Sequence, residues 1–100
     1  MTAADSTDER VEVADAPEQS RFEISVDGTL AGFVRYRLAP GRITFVHTEI
    51  DDAHEGKGLG GLLARAALDA ARARGLGVRP DCPFIKAWIE KHPDYADLVA

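Results

Sequence analysis

Hydrophobic and polar residues alternate along the first part of the chain that is rich in large apolar side chains. Residues 21–26 alternate strictly, which predicts a half-buried strand. The pair Asp27-Gly28 is typical of a two-residue hairpin turn. Residues 30–38 predict a second strand with Leu30 on its inward face. Residues 43–50 begin apolar on both faces, which predicts a central third strand.

The apolar spacing then changes to that of a helix, which Gly75 is expected to end. The apolar stripe of this helix comprises Leu59, Leu62, Leu63, Ala66, Ala67, Ala70 and Ala71. Residues 76–79 predict a short fourth strand, parallel to the third in a βαβ crossover, and residues 84–91 predict a second helix. The predicted fold class is α+β, with antiparallel hairpin strands followed by a βαβ crossover and a short C-terminal helix.

Acidic charge is concentrated in the first twenty residues, which hold six acidic residues and one arginine, whereas residues 21–100 hold eleven of each sign. We therefore expect residues 1–20 to be a disordered acidic tail and residues 21–100 to be the folded domain. The neutral body argues against nucleic acid as a partner, and no apolar run is long enough for a membrane span. The single cysteine and the lack of a basic-then-apolar leader predict a cytoplasmic protein, which we expect to be a monomer or weak dimer.

Four glycines cluster where the long helix begins, within residues 56–61. A helix N-terminus preceded by such a turn is a ready anion site, most often for phosphate. The spacing Gly56-x-Gly58-x-x-Gly61 also fits a dinucleotide-binding turn. Polar residues separate this turn from the preceding strand, and only one βαβ unit is present, so that interpretation is rejected. A P-loop is excluded because no Gly-Lys-Ser/Thr is present.

Residues 55–60, Glu-Gly-Lys-Gly-Leu-Gly, resemble the diphosphate loop of the GCN5-related N-acetyltransferases, whose signature is Gln/Arg-x-x-Gly-x-Gly/Ala. Glu55 stands where that signature has Gln or Arg. Together with residues 47–49, 80–84 and 91–95, the loop resembles the minimal single-domain members of about 90 to 100 residues, including the bacterial YjdJ-like group. This resemblance covers residues 21 to 98 and implies a truncated acetyltransferase fold that uses acetyl-CoA. The residues implied to hold the cofactor are Gly56, Lys57, Gly58, Leu59, Gly60 and Gly61.

Cys82 is the only thiol of the chain and stands just before the second predicted helix. A helix N-terminus favours the thiolate, and the position beyond the parallel strands lets Cys82 and the glycine turn face one crevice. A thiolate there could accept an acyl group and pass it to an amine. In the subfamily that the chain resembles, the matching cysteine is a proposed nucleophile or a neighbour of the thioester. A buried packing role is the alternative.

His47 and Glu49 lie on the third predicted strand, where a face towards the helix or cofactor would let either take a proton from an attacking amine. A purely structural role is the alternative for His47. Tyr95 resembles a late tyrosine that protonates the departing thiolate in larger relatives, but its place beyond the second helix argues against that role. His54 is expected to be exposed in the loop, where it could also help to line the diphosphate site, and His92 is expected to end the helix. Three scattered histidines predict no metal site.

The sequence therefore predicts an acetyl-CoA-dependent N-acetyltransferase that acts on an unidentified amine, either directly or through Cys82. The alternative function is a non-catalytic acyl-CoA-binding or regulatory module, because a fold this small leaves little wall for an acceptor pocket. A structural domain whose glycine turn binds nothing is the third possibility.

Overall fold

A computed structural model of the chain describes residues 10–99. A five-stranded sheet has the strand order β1-β2-β3-β4-β5. Its strands are β1 (Val11–Ala16), β2 (Arg21–Val26), β3 (Thr29–Ala39), β4 (Arg42–Ile50) and β5 (Gly77–Pro80). The helices are α1 (Leu59–Ala73) and α2 (Pro83–Lys91), and short 3₁₀ turns cover Pro17–Gln19, Asp52–His54 and Pro93–Leu98. None of the helices within residues 10–99 has the length and apolar character needed to cross a membrane.

The β2–β3 hairpin confirms the turn that the sequence predicts. Asp27 has φ 51° and Gly28 has φ 83°. Positive φ at both central positions is the type I′ geometry, whose twist matches that of the flanking strands. Leu30, expected to face inward, is instead 43% exposed. Ile24 pairs with Gly32, but the next residue of β2, Ser25, pairs with Leu30, so Ala31 is an extra residue of β3. This bulge reverses the face of the sheet to which the preceding side chains of β3 point.

The prediction of a disordered tail is wrong for the residues that form β1. This strand pairs antiparallel with β2, in the register Val11 to Val26. Val13 packs against the core. Asp15 faces the helix side of the sheet, where it accepts hydrogen bonds from Tyr36 at 2.6 Å and Arg74 at 2.7 Å. The acidic residues of β1 made this segment resemble a disordered tail in the sequence. Residues 1–9 of the predicted tail lie outside the residues that the structure describes.

The predicted βαβ crossover is confirmed. β4 and β5 pair in parallel, and α1 connects them and packs on the sheet. Gly75, with φ 68°, follows the helix as expected. The buried face of α1 is rotated slightly from the predicted apolar stripe. Leu62, which belongs to that stripe, is 49% exposed, whereas Leu68, which does not, is fully buried. The core fills one side of the sheet, and its largest fully buried side chains are Tyr36, Phe45, Ile24, Ile43, Leu63, Leu68 and Ile85.

Candidate active site

The glycine-rich turn leads directly into α1. Gly56 has φ 83° and Gly58, the N-cap of α1, has φ 76°, a left-handed conformation that favours glycine. The first N–H groups of a helix have no intrahelical acceptor, and the helix dipole makes this end partly positive. The first turn of α1 carries no acidic residue. The turn and helix end together form a site suited to an anion.

A cavity of about 360 Å³ lies beside this turn. Its lining residues are Ile50, His54, Glu55, Gly56, Gly58, Leu59, Gly60, Gly61 and Phe84. Glycine at position 60 lets Phe84 come this close, because a Cβ there would lie 2.8 Å from Cζ of Phe84 and would require that ring to shift. The close approach of Phe84 to α1 thus forms one wall of the cavity, opposite the end of β4.

The cavity lies at the end of β4, beyond the point at which β4 and β5 separate. These strands pair only between Arg42–Phe45 and Gly77–Pro80. The N–H of Cys82 donates to the carbonyl of Phe45 at 2.8 Å, and the chain then turns into α2. Beyond Phe45, no strand of the described chain pairs with this edge of β4. Residues 46–50 therefore border a cleft between β4 and α2.

A bulge at Val46 decides which side chains face this cleft. Tyr36 pairs with Phe45, and the next residue back along β3, Arg35, pairs with His47, so Val46 is the extra residue of β4. Phe45 is buried on the helix side, whereas His47 is exposed on the opposite, open face. The sequence predicts that His47 faces the helix or the cofactor; the bulge reverses the alternation, so His47 does not face the helices.

His47 and Glu49 form a pair on the open face of the sheet. His47 Nε2 lies 2.8 Å from a carboxylate oxygen of Glu49, and the two side chains are 53% and 62% exposed. A second cavity, of about 310 Å³, lies next to this pair. Its lining residues are Leu30, Ala31, Gly32, Phe33, Glu49 and Asp51. A base and a cavity thus occur together on the side of β4 away from the helices.

Cys82 lies on the helix side of β4. It is the N-cap of α2, as the sequence predicts, but its side chain is buried and only 2% exposed. Its Sγ lies 3.2 Å from Oγ1 of Thr48. Thr48 and Ile50 share this side of the strand, one same-face step of about 7 Å apart, so the partner of the thiol is the same-face neighbour of Ile50, which lines the cavity of the glycine turn. Sequence reasoning missed Thr48, whose only signal was a hydroxyl residue between His47 and Glu49.

The remaining candidates lie apart from the cleft. The Tyr95 hydroxyl donates to Asp69 at 2.7 Å and accepts from Arg65 at 3.2 Å. The hydrogen bond to Asp69, with burial, raises the pKa of Tyr95. His92 stacks on Trp88 with ring centroids 3.7 Å apart and ends α2, as expected.

Lys57 is exposed between two glycines of the turn. The part of the chain that the structure describes holds no group of three or more metal-binding side chains.

Comparisons with known proteins give consistent matches. A family model described as GCN5-related N-acetyl-transferase matches residues 21–98. Streptothricin acetyltransferase of Streptomyces lavendulae is 42% identical over 65 residues, which cover 63% of this chain and 34% of that relative. The chain thus spans about a third of the length of this curated relative.

The solved structures that resemble the chain include the following two. The NMR structure of a GCN5-like protein from Staphylococcus aureus matches with a TM-score of 0.69 and 27% identity, covering 89% of this chain and 87% of that one. The crystal structure of ribosomal-protein-alanine N-acetyltransferase from Brucella melitensis matches with a TM-score of 0.54 and 23% identity, covering 80% and 60%. This second likeness concerns the fold alone.

Proposed function

The chain belongs to the GCN5-related N-acetyltransferase family, and on this premise we propose that it transfers an acetyl group from acetyl-CoA to an amine. The observation that carries the proposal is the continuity between the glycine turn and the cleft along β4. An anion site at the N-terminus of α1 opens into a cavity whose far wall, Ile50, belongs to the unpaired edge of β4. A long ligand with a phosphate end and a reactive end fits this arrangement.

The cofactor-binding residues in this proposal are those of the glycine turn. Backbone N–H groups between Gly56 and Gly61 bind the diphosphate, and left-handed Gly56 and Gly58 shape the turn. Lys57 adds positive charge beside it. Acetyl-CoA supplies the acyl group as an activated thioester. The cavity walls formed by Ile50 and Phe84 exclude water from the adjoining chain of the ligand.

The amine acceptor approaches from the open face of the sheet, where His47 and Glu49 form their pair. An amine attacks a thioester carbon only as the free base, so a proton must leave the nitrogen. Glu49 takes this proton, and His47, 2.8 Å away, holds the carboxylate in place and shares the charge. The cavity of about 310 Å³ beside Glu49 receives the acceptor. Transfer in this scheme is direct: the amine nitrogen bonds to the acyl carbon, the C–S bond of the thioester breaks and CoA leaves as its thiolate, without a covalent enzyme intermediate.

Transfer through Cys82 is the second candidate mechanism. In this route Sγ attacks the thioester, the CoA thiolate leaves, and the amine then takes the acyl group from sulfur. The position of Cys82 supports this route, because Cys82 is the N-cap of α2 and its Sγ lies 3.2 Å from Oγ1 of Thr48, on the unpaired part of β4. The 2% exposure of the thiol favours the direct route, because Sγ would have to emerge before it could attack.

A non-catalytic acyl-CoA-binding module is the alternative function. The observation that favours it is the exposure of the open face, where His47 and Glu49 are 53% and 62% exposed. Within residues 10–99, no helix covers this face, so the acceptor cavity is shallow. A partner protein would complete the acceptor site in this case.

Thiol release from acetyl-CoA in the presence of an amine panel separates the two functions. The panel holds a lysine peptide, a polyamine, an amino acid and streptothricin, the compound in the name of the Streptomyces relative. Amine-dependent thiol release, with the acetylated amine identified by mass, supports the transferase. Tight acetyl-CoA binding without turnover of any amine contradicts it and supports the binding module.

A further inference from the structure

The cavity beside the glycine turn has one lining side chain that can donate a hydrogen bond. Only His54 and Glu55, among its lining residues, carry polar side chains. An ionised Glu55 can only accept, whereas an imidazole can donate and can carry positive charge. An anion at the start of α1 would otherwise meet only backbone N–H groups from this wall. His54 is therefore the lining side chain that suits an anionic ligand.

The imidazole of His54 contains an unsatisfied atom. Its Nδ1 is buried and has no hydrogen-bond partner among the described residues. Such an atom is unfavourable, since buried polar atoms are normally paired, and a rotation of the ring that brings it to a partner in the cavity would relieve this cost. His54 is half-buried rather than exposed in the loop, and it lines the cavity of the glycine turn, the second role that its position in the sequence allows.

The backbone at His54 is fixed while its ring is not held at Nδ1. The His54 N–H donates to the carbonyl of Asp51 at 2.8 Å. A carboxylate oxygen of Asp51 accepts from the N–H of Ala53 at 3.2 Å, which caps the short 3₁₀ turn. The turn therefore keeps the imidazole at the cavity, and no hydrogen bond from Nδ1 opposes its rotation towards a ligand.

We propose that His54 is a side-chain contact of the phosphate-bearing part of the ligand. Its ring donates a hydrogen bond to a phosphate oxygen, a contact that the carboxylate of the neighbouring Glu55 cannot make. This inference rests on the proposed function, because the ligand is the CoA moiety that the glycine turn binds. It adds a second side chain, besides Lys57, to a site otherwise made of backbone groups.

Calorimetric titrations with CoA and with pantetheine, which lacks phosphate, test this role in the full chain. In H54L, CoA affinity falls about tenfold, the loss expected for one charge-assisted hydrogen bond. H54Q keeps a donor and retains part of the affinity. All three proteins bind pantetheine alike. The imidazole nitrogen resonances of His54 move when CoA or inorganic pyrophosphate is added to the wild type.

The outcomes separate the inference from the function. If the wild type binds no CoA, the proposed function fails and the His54 contact fails with it. If the wild type binds CoA, both variants bind it within twofold and the ring resonances stay in place, the contact is overturned while the function stands. Amide spectra of the free variants establish folding, and if H54L does not fold, H54Q and the ring resonances decide.

Discussion

Thr48 and Cys82 contact each other across the cleft, with 3.2 Å between Oγ1 and Sγ. Thr48 is on β4 just beyond its last pairing with β5, and Cys82 begins α2. The contact therefore connects the unpaired part of β4 to the N-terminus of α2. On the other side of β4, His47 and Glu49 face the open surface of the sheet. β4 thus divides the candidate residues into a thiol side and a base side.

The role of Cys82 is tested by C82S, which keeps a group able to hydrogen-bond to Thr48. Direct transfer predicts that kcat stays within about tenfold of wild type and that no acetyl adduct forms, whereas removing an essential nucleophile lowers kcat by several orders of magnitude. Turnover and intact mass after incubation with acetyl-CoA measure both. T48V is the matched control for the contact itself. A wild-type acetyl adduct together with an inactive C82S protein would establish the acyl-enzyme route instead.

The base role of Glu49 is tested by E49Q. We expect kcat/KM for the amine to fall by about 100-fold or more, since general-base catalysis typically contributes 10² to 10⁴. The affinity for acetyl-CoA stays unchanged, because Glu49 lies on the face away from the glycine turn. E23Q is the matched control, because Glu23 and Glu49 both pair with Phe33 from opposite sides on the same face. Equal activity losses in the two variants would refute a specific role for Glu49.

Alanine substitutions at two neighbouring glycines at the start of α1 are expected to differ in their effect on the stability of the fold. An alanine Cβ at Gly61 lies 3.5 Å from Nε1 of Trp88, an ordinary contact, whereas at Gly60 it lies 2.8 Å from Phe84. G61A therefore stabilises the fold by up to about 1 kcal/mol through helix propensity. G60A is expected to be less stable than G61A, because Phe84 has to move and the cost of that movement offsets the gain in helix propensity. Thermal unfolding of both variants measures the difference, and equal melting temperatures would show that Phe84 moves without cost.

Alkaline pH tests the contact between β1 and the core. Burial, and then the hydrogen bond to Asp15, raises the pKa of Tyr36 to about 12 from its ordinary value of 10. The pKa of Tyr36 is higher in the folded state than in the unfolded state, so the protonated hydroxyl contributes to the stability of the fold. This contribution is complete below pH 10 and is lost as the pH rises towards 12.

Y36F removes the group and its hydrogen bond to Asp15. It is expected to be less stable than wild type by about 1–2 kcal/mol at neutral pH. The stability difference between the two proteins then narrows above pH 10, which urea denaturation at several pH values measures. Parallel pH profiles for the two proteins would contradict this role of the Tyr36 hydroxyl.

Much of the fold could be predicted from local sequence signals. The pair Asp27-Gly28 specifies its own turn geometry, and Gly75 marks the end of α1 because both depend on backbone conformations that few residues adopt. The tight turn before α1 could be predicted for the same reason, since Gly56 and Gly58 adopt positive φ. Such features depend on residues close together in the chain.

The features that could not be predicted depend on the sheet as a whole. The bulges at Ala31 and Val46 are visible only in the pairing register, and each reverses which side chains face the core. The bulge at Val46 separates His47 from Cys82. β1 escaped prediction because its acidic residues look like those of a tail, and Asp15 finds its partners Tyr36 and Arg74 only in the folded chain.

An NMR titration of the full chain with acetyl-CoA, followed at the backbone amides, tests the proposed function. We expect shifts that centre on Gly56 to Gly61, extend along residues 46–50 of β4 and reach Phe84. We expect the amides of β1 to move very little, because this strand is at the opposite edge of the sheet. Unchanged amides throughout the glycine turn at millimolar acetyl-CoA would contradict binding of the cofactor at this turn.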